Sequence, residues 1–123
     1  MMVVRAIRGA TTVENNEVEE ILEATRETIG AVVEENDING EDIIDMIFTV
    51  TPDLNKVFPA RAARQLGYTD VALLDMVAPD IEGALKKCIR VVIHINTDKS
   101  NSELKPQYLR GAAVLRPDIV SKR

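Results

Sequence analysis

Apolar positions follow two periods in the first third of the chain. Residues 3–8 alternate well enough between apolar and polar to predict a first strand, which Gly9 ends. From Val18 onward, Val18, Ile21, Leu22, Ile29, Val32 and Val33 recur at helical spacing and predict one long amphipathic helix over residues 17–35. Asn16 is its expected N-cap, with Glu19 in the capping-box position. Glu17, Glu19, Glu20, Glu23 and Glu27 fall on the solvent side of that helix and are assigned no function.

Asn39-Gly40 marks a turn, and Glu41 or Asp42 starts a short helical turn after it. Residues 46–50 read as a buried strand, broken by Thr51-Pro52-Asp53. Pro59 suits the first position of a short helix over residues 60–66, with Gly67 as its stop. Residues 71–74 predict a third strand, closed by Asp75 and the Pro79 region. Residues 87–96 give the clearest strand: Ile89, Val91, Ile93 and Ile95 point one way, and Arg90, Val92, His94 and Asn96 the other. A polar loop follows at residues 98–102. A helical turn within residues 103–110 is interrupted by Pro106, residues 112–115 form a last strand, and residues 121–123 fray. This order predicts an α+β domain spanning residues 1–123: a mixed five-stranded β-sheet with one long and one short helix on one face.

Composition narrows the function. The 123 residues carry a net charge of −5 and only two Tyr and two Phe. A phosphate backbone repels such a chain and finds few stacking platforms on it, which argues against nucleic-acid binding. No apolar run approaches the roughly 18 residues of a membrane span. Arg5 and Arg8 lie where a signal peptide needs an apolar stretch, so the expected setting is the cytoplasm, away from membranes. The single Cys88 excludes an internal disulfide and any multi-cysteine metal centre, and the single His94 leaves no material for a histidine-rich one. No metal or cofactor is expected.

The candidate chemistry is a set of arginines. Arg8 ends the first predicted strand, Arg61 and Arg64 share one helix face at i, i+3 spacing, and Arg116 sits between Leu115 and Pro117. Taken singly, each reads as a surface ion pair. Arg90 differs, because a guanidinium projecting from the middle of an apolar strand needs a partner or a ligand. Several guanidinium forks together suit a small polyanion bearing carboxylates. Tyr108 adds a hydroxyl donor or is a half-buried packing residue, and Phe58 walls a pocket or belongs to the core. Cys88 and His94 share the face of Arg90 and read as packing and structural residues.

Four blocks then stand out together. They are Arg8-Gly9-Ala10-Thr11-Thr12, Thr51-Pro52-Asp53-Leu54 through Phe58-Pro59-Ala60, Gly83 through Leu85-Lys86-Lys87-Cys88-Ile89-Arg90-Val91, and Ala113-Val114-Leu115-Arg116-Pro117-Asp118. In order and spacing, over nearly the whole chain, they resemble the AroH class of chorismate mutases. The resemblance implies a homotrimer, a trimeric pseudo-α/β-barrel, with active sites at the subunit interfaces. It implies rearrangement of chorismate to prephenate without a cofactor, in phenylalanine and tyrosine biosynthesis. It also assigns roles. Arg90 contacts the ether oxygen of the breaking bond and a carboxylate, and Arg8 and Tyr108 hold other polar groups. Phe58, Leu74 and Leu115 form apolar walls, while Arg61, Arg64 and Arg116 bind the ring carboxylate more loosely. Such a reaction needs no nucleophile or proton transfer, which suits a chain with one His and one Cys.

One position departs from the family pattern. Family members commonly carry a Glu two residues before the position of Asp80, and here that position is Ala78. Asp75 stands where a Cys is often seen. Asp75 is therefore expected to supply the missing carboxylate, provided its strand runs beside that of Arg90. Two other readings stay open on the same arginines: a trimeric acid-binding or imine-hydrolysing module of related architecture, and a non-catalytic regulatory domain.

Overall fold

In the computed structural model, described here over residues 1–116, ten elements follow one another. Strand β1 (Val3–Thr12) leads to helix α1 (Val18–Glu35). A 3-10 turn (Gly40–Asp42), β2 (Ile43–Val50), helix α2 (Ala60–Gln65) and β3 (Ala72–Val77) come next. Then come β4 (Cys88–Thr97), a 3-10 turn (Asn101–Glu103), β5 (Gln107–Tyr108) and a last 3-10 turn (Arg110–Leu115). The five strands form one sheet in the order β3-β2-β4-β1-β5. β4 pairs antiparallel with β1 and β2, whereas β3 and β5 run parallel to their neighbours. The mixed α+β sheet with one long and one short helix is thus observed.

The core lies between the sheet and the helices. Ile7, Met46, Phe48, Val91 and Ile93 are buried against Ile29 and Val32 of α1 and Ala60 and Ala63 of α2. Each large side chain buried in this way contributes about 1.5–3 kcal/mol relative to exposure. The alternation read along residues 89–95 is the physical cause: one side of β4 is buried throughout, the other only partly. Gly9 lets α1 approach, since a Cβ there would stand 2.9 Å from Cγ2 of Thr28 and 3.1 Å from methyls of Val32 and Val91. The first strand does not end at Gly9, as expected, but runs on to Thr12 because β4 keeps pairing with it as far as Cys88.

The helix start also differs from expectation. Glu17, not Asn16, occupies the N-cap position of α1 and makes no side-chain capping bond. Asn16 is drawn away by Asn55: its Nδ2 donates to Asn55 Oδ1 at 2.8 Å, and Asn55 N donates back to Asn16 Oδ1 at 3.2 Å. The carboxylate of Glu20 reaches back instead and accepts the amide protons of Glu14 (2.7 Å) and Asn15 (3.0 Å).

The largest correction falls at the C-terminal end. Residues 112–115, expected as the last strand, form part of the 3-10 turn Arg110–Leu115. The fifth strand is Gln107–Tyr108, which pairs with Gly9 and Ala10. Buried Asn36 brings that segment in, since its Nδ2 donates to Lys105 O and its Oδ1 accepts from Lys105 N. Past Leu109, Arg110 adopts φ 51° and turns the chain off the sheet. The expected fraying of residues 121–123 lies outside the described residues.

Among the described residues no α-helix covers the second face of the sheet, and the last 3-10 turn packs on it, against Ala10. Val4, Leu74 and Met76 are exposed on it, Ile47 and Val92 are half-buried, and His94 pairs with Asp45 at 2.7 Å. Exposed apolar surface of this kind commonly marks an interaction or ligand-binding face.

Candidate active site

The sheet register sorts the candidate residues into two groups. Arg90 stands opposite Ala10 on β1 and Thr49 on β2, on the uncovered face. Ala10 in turn pairs with Tyr108. The guanidinium of Arg8 lies 5.8 Å from the centre of the Tyr108 ring, within the range of a cation–π contact. Leu115 and Leu85 pack against Ala10, Tyr108 and Ala112. The structure therefore brings Arg8, Arg90, Tyr108 and Leu115 together around the β4-β1-β5 side of the sheet. Arg116 follows as an exposed residue at the end of the 3-10 turn.

Arg90 is the unusual member. Its Nε is buried and finds no hydrogen-bond partner among the described residues. An unsatisfied buried donor on a cation is costly, and the missing partner must be an acceptor, best an anionic one. Cys88, on the same face, is buried and free, a packing residue as expected. The approach to Arg90 along β4 is held by the turn after β2. Lys87 N donates to the carboxylate of Asp53 (3.0 and 3.2 Å), and Cys88 N donates to Thr51 Oγ1 at 3.0 Å. Burial works against the charge on Asp53. The Thr51 hydroxyl and the Lys87 amide outweigh it and hold the carboxyl below the usual aspartate value.

The second group lines a cavity of about 660 Å³ on the helix side, at the β3 edge. Phe58, Arg61, Arg64 and Asp75 are all in its wall. Phe58 is 70% exposed, so it is a pocket wall and not a core residue. Arg61 and Arg64 are exposed on α2 at the rim. Leu74 points to the uncovered face and does not line the cavity; Val57 and Val77 make the apolar wall instead, and Met76, on the uncovered face by register, borders the cavity at the β3 edge. These three and Lys56 escaped the sequence reading. The loop between Thr51 and Pro59 is aperiodic, so its family-like block did not show which of its side chains turn toward a cavity.

The condition set for Asp75 is not met. β3 extends to Val77, so Asp75 lies inside the strand instead of closing it, and β2 stands between β3 and β4. Asp75 pairs with Phe48 on the helix face, one residue out of phase with the Met76–Thr49–Arg90 row. Its Oδ1 accepts the Ala60 amide at 3.0 Å, at the start of α2. Burial pushes its carboxyl above the usual aspartate range, opposed by the Ala60 hydrogen bond and the charge of Arg64. Within one chain, Asp75 and Arg90 therefore face opposite sides of the sheet.

Among the described residues no helix is long and apolar enough to cross a membrane, and no three His, Cys, Asp or Glu side chains are grouped to hold a metal ion. What the site offers is cations, one phenol and apolar walls, in two separate portions.

Comparison with known proteins agrees with this inventory. The family model for chorismate mutase type I matches residues 4–119. The chain is 44% identical over 119 residues to chorismate mutase AroH of Bacillus subtilis (strain 168), covering 96% of this chain and 94% of that protein. It is 45% identical over 119 residues to chorismate mutase AroH of Thermus thermophilus, covering 96% and 98%. A solved chorismate mutase from Clostridium thermocellum superposes with a TM-score of 0.88 at 49% identity, covering 89% of this chain and 98% of that one. This chain belongs to the chorismate mutase type I family.

Proposed function

We propose that this enzyme rearranges chorismate to prephenate in sites built from two copies of the chain within a homotrimer, with Arg90 as the principal catalytic residue. The observation that carries the reading is the buried Nε of Arg90, which has no hydrogen-bond partner among the described residues. In the rearrangement the ether C–O bond breaks as a new C–C bond forms, and negative charge builds on the ether oxygen. A fixed guanidinium facing that oxygen acts mainly on the transition state, so it lowers the barrier more than it tightens ground-state binding. Arg8 and Tyr108 hold the polar groups beside it. Phe58 and Leu115 press on the ring, and Arg61, Arg64 and Arg116 draw in its carboxylate. Confinement selects the compact conformer that reacts, which replaces the entropy cost of finding it in water.

The division of the candidate residues supports an interface site. Arg8, Arg90 and Tyr108 belong to the uncovered face toward β5, whereas Phe58, Arg61, Arg64 and Asp75 belong to the helix side at the β3 edge. No single chain can present both to one small molecule. A head-to-tail contact that joins one copy's β3 edge to the next copy's uncovered face completes the site, and such contacts close into rings. In that arrangement Asp75 faces the arginines of the neighbouring copy and takes the place of the carboxylate absent at Ala78. The proposed setting is the cytoplasm, in keeping with the absence of a membrane-crossing helix among the described residues.

The direct test follows chorismate loss and prephenate gain with purified protein, together with light scattering. Turnover by a trimer, unchanged in a chelator, is the expected outcome. An inactive trimer overturns the reaction, and an active monomer overturns the interface site.

A further inference from the structure

We propose that the acidic stripe on α1 is a docking strip for the C-terminal turn, and that the Arg110–Glu27 pair is a latch that positions Leu115 and Arg116 over the site. The inference rests on the reading of those two residues as substrate contacts. Five observations on the described residues converge on it.

Arg110 grips Glu27 across 83 positions of sequence with both arms of its guanidinium, Nε to Oε1 at 3.2 Å and Nη2 to Oε2 at 3.3 Å. Such a two-armed fork fixes orientation as well as distance. Glu20, Glu23 and Glu27 project from neighbouring turns of α1, and together they hold the Arg110 guanidinium more firmly protonated, the Glu27 hydrogen bonds most of all. The backbone of Arg110 is left-handed, at φ 51°, a conformation that a long side chain keeps only where its surroundings over-determine it. The next residue supplies a second fixture. Gly111 N donates to Thr12 Oγ1 at 3.0 Å, and a Cβ on Gly111 would meet that oxygen at 2.7 Å. Just before it, Leu109 N donates to Ala10 O at 2.9 Å.

These bonds pin the entry to the turn Arg110–Leu115 between the helix and the end of β1. Past them, Ala112 is the only residue of the turn that is fully buried. A 3-10 turn is a weak element by itself. Its orientation, and with it the placement of Leu115 and Arg116, therefore follows the latch. Arg110 and Glu27 touch no substrate in this scheme and are positioning residues.

The experiment uses the full-length chain with Glu27→Gln, and with Glu19→Gln as control. Glu19 sits on the same helix but pairs with Arg26 at 3.2 Å. Trypsin attacks the Arg110–Gly111 bond only when the turn lifts, so its rate reads the latch without reference to activity. Glu27→Gln is expected to speed that cleavage about two- to fivefold and to raise KM for chorismate by a similar factor, with kcat kept. Glu19→Gln should change neither. The charge swap Glu27→Arg with Arg110→Glu, which removes the trypsin site, should bring KM back toward the wild-type value. Unchanged cleavage in Glu27→Gln overturns the latch, and faster cleavage with an unchanged KM overturns its role in positioning. A wild type that does not turn over chorismate would count against the reaction instead, and the trypsin rates would still decide the latch.

Discussion

The two portions of the site are built in opposite ways. Around Arg90 the scaffold is a sheet. Arg90 lies near the start of β4 between two paired neighbours, Tyr108 is 3% exposed, and the cation has a buried donor with no partner among the described residues. Around Arg61 and Arg64 the scaffold is a six-residue helix and a loop, and both cations and the Phe58 ring are open to solvent. A half-buried cation with its Nε out of water is screened less than an exposed one and needs less reorganisation when charge develops beside it. An exposed one is screened and mobile, so it can attract a carboxylate but cannot concentrate its effect on the transition state. One chain thus carries a sheet-held portion and an exposed one on opposite faces, and the proposed interface site needs a second copy to bring them together.

The largest expected effect breaks the rigid portion. Arg90→Ala should lower kcat by about 10²–10³ with smaller change in KM. Arg90→Lys should be impaired as well, because it keeps the charge and loses the fork. A near-normal turnover in Arg90→Ala would sink the mechanism. Mixing makes the comparison sharper. Arg90→Ala and Arg64→Glu damage different portions, so trimers reconstituted from both should regain activity, up to about a quarter of the sites for random assembly. If mixing restores nothing, the two portions do not come from different copies.

Asp53 joins the two regions: its neighbours Pro52 and Leu54 border the cavity, and its carboxylate fastens the start of the strand that bears Arg90. Asp53→Ala should cost about 1–3 kcal/mol of stability by leaving the Lys87 amide without its acceptor. Because the folded carboxyl titrates below the ordinary value of 3.8, its contribution is present above that value and fades as pH falls through the lower folded one. Thermal melts at stepped pH should therefore show the gap between wild type and Asp53→Ala closing below about pH 4. A constant gap would mean that the charge on Asp53 is not what the turn uses.

Arg61→Ala probes the soft portion. KM should rise about fivefold, the value of one exposed ionic contact, with turnover kept. A collapse of kcat without a change in KM would place Arg61 with Arg90 and erase the distinction.

The sequence made parts of this arrangement legible and hid others for physical reasons. Long periodic elements announced themselves: α1 and β4 came from spacing alone. Arg90 stood out because a charge in an apolar alternation is costly without a ligand. β5 was invisible, since two residues next to Pro106 cannot show a period, and the apolar run of residues 112–115 looked like a strand although a left-handed Arg110 turns it off the sheet. The phase of Asp75 was also lost. The expectation put Asp75 at the end of a strand beside that of Arg90, but a local pattern cannot show strand order: β2 intervenes, and Asp75 lies within β3, which runs to Val77, with its side chain toward the helices. Pairs far apart in sequence, such as Asn16 with Asn55 or Glu27 with Arg110, leave no local pattern at all.

The smallest effect tests whether the two portions meet. In the chain alone, burial raises the Asp75 carboxyl above its ordinary range, with the Ala60 amide and Arg64 only partly offsetting it. A group raised in this way favours the folded state below its unfolded value of 3.8, and that benefit is lost as pH rises through the folded value. At pH 7 the ionised carboxylate is then a net burden, and Asp75→Asn, which can still accept from Ala60, should raise the melting temperature. In the proposed interface site the Arg90 of the next copy should reverse that sign, because an adjacent cation favours the charged form. Asp75→Asn is therefore expected to lower stability in the wild-type background and to raise it in the Arg90→Ala background. The coupling should be about 0.5–1 kcal/mol per site, and the gain in the second background should vanish toward pH 4. Melts of the four proteins of this cycle, at one concentration and at stepped pH, decide the matter. If Asp75→Asn shifts stability equally in both backgrounds, the carboxylate of one copy does not face the arginine of the next, and the family's missing glutamate has no replacement at Asp75.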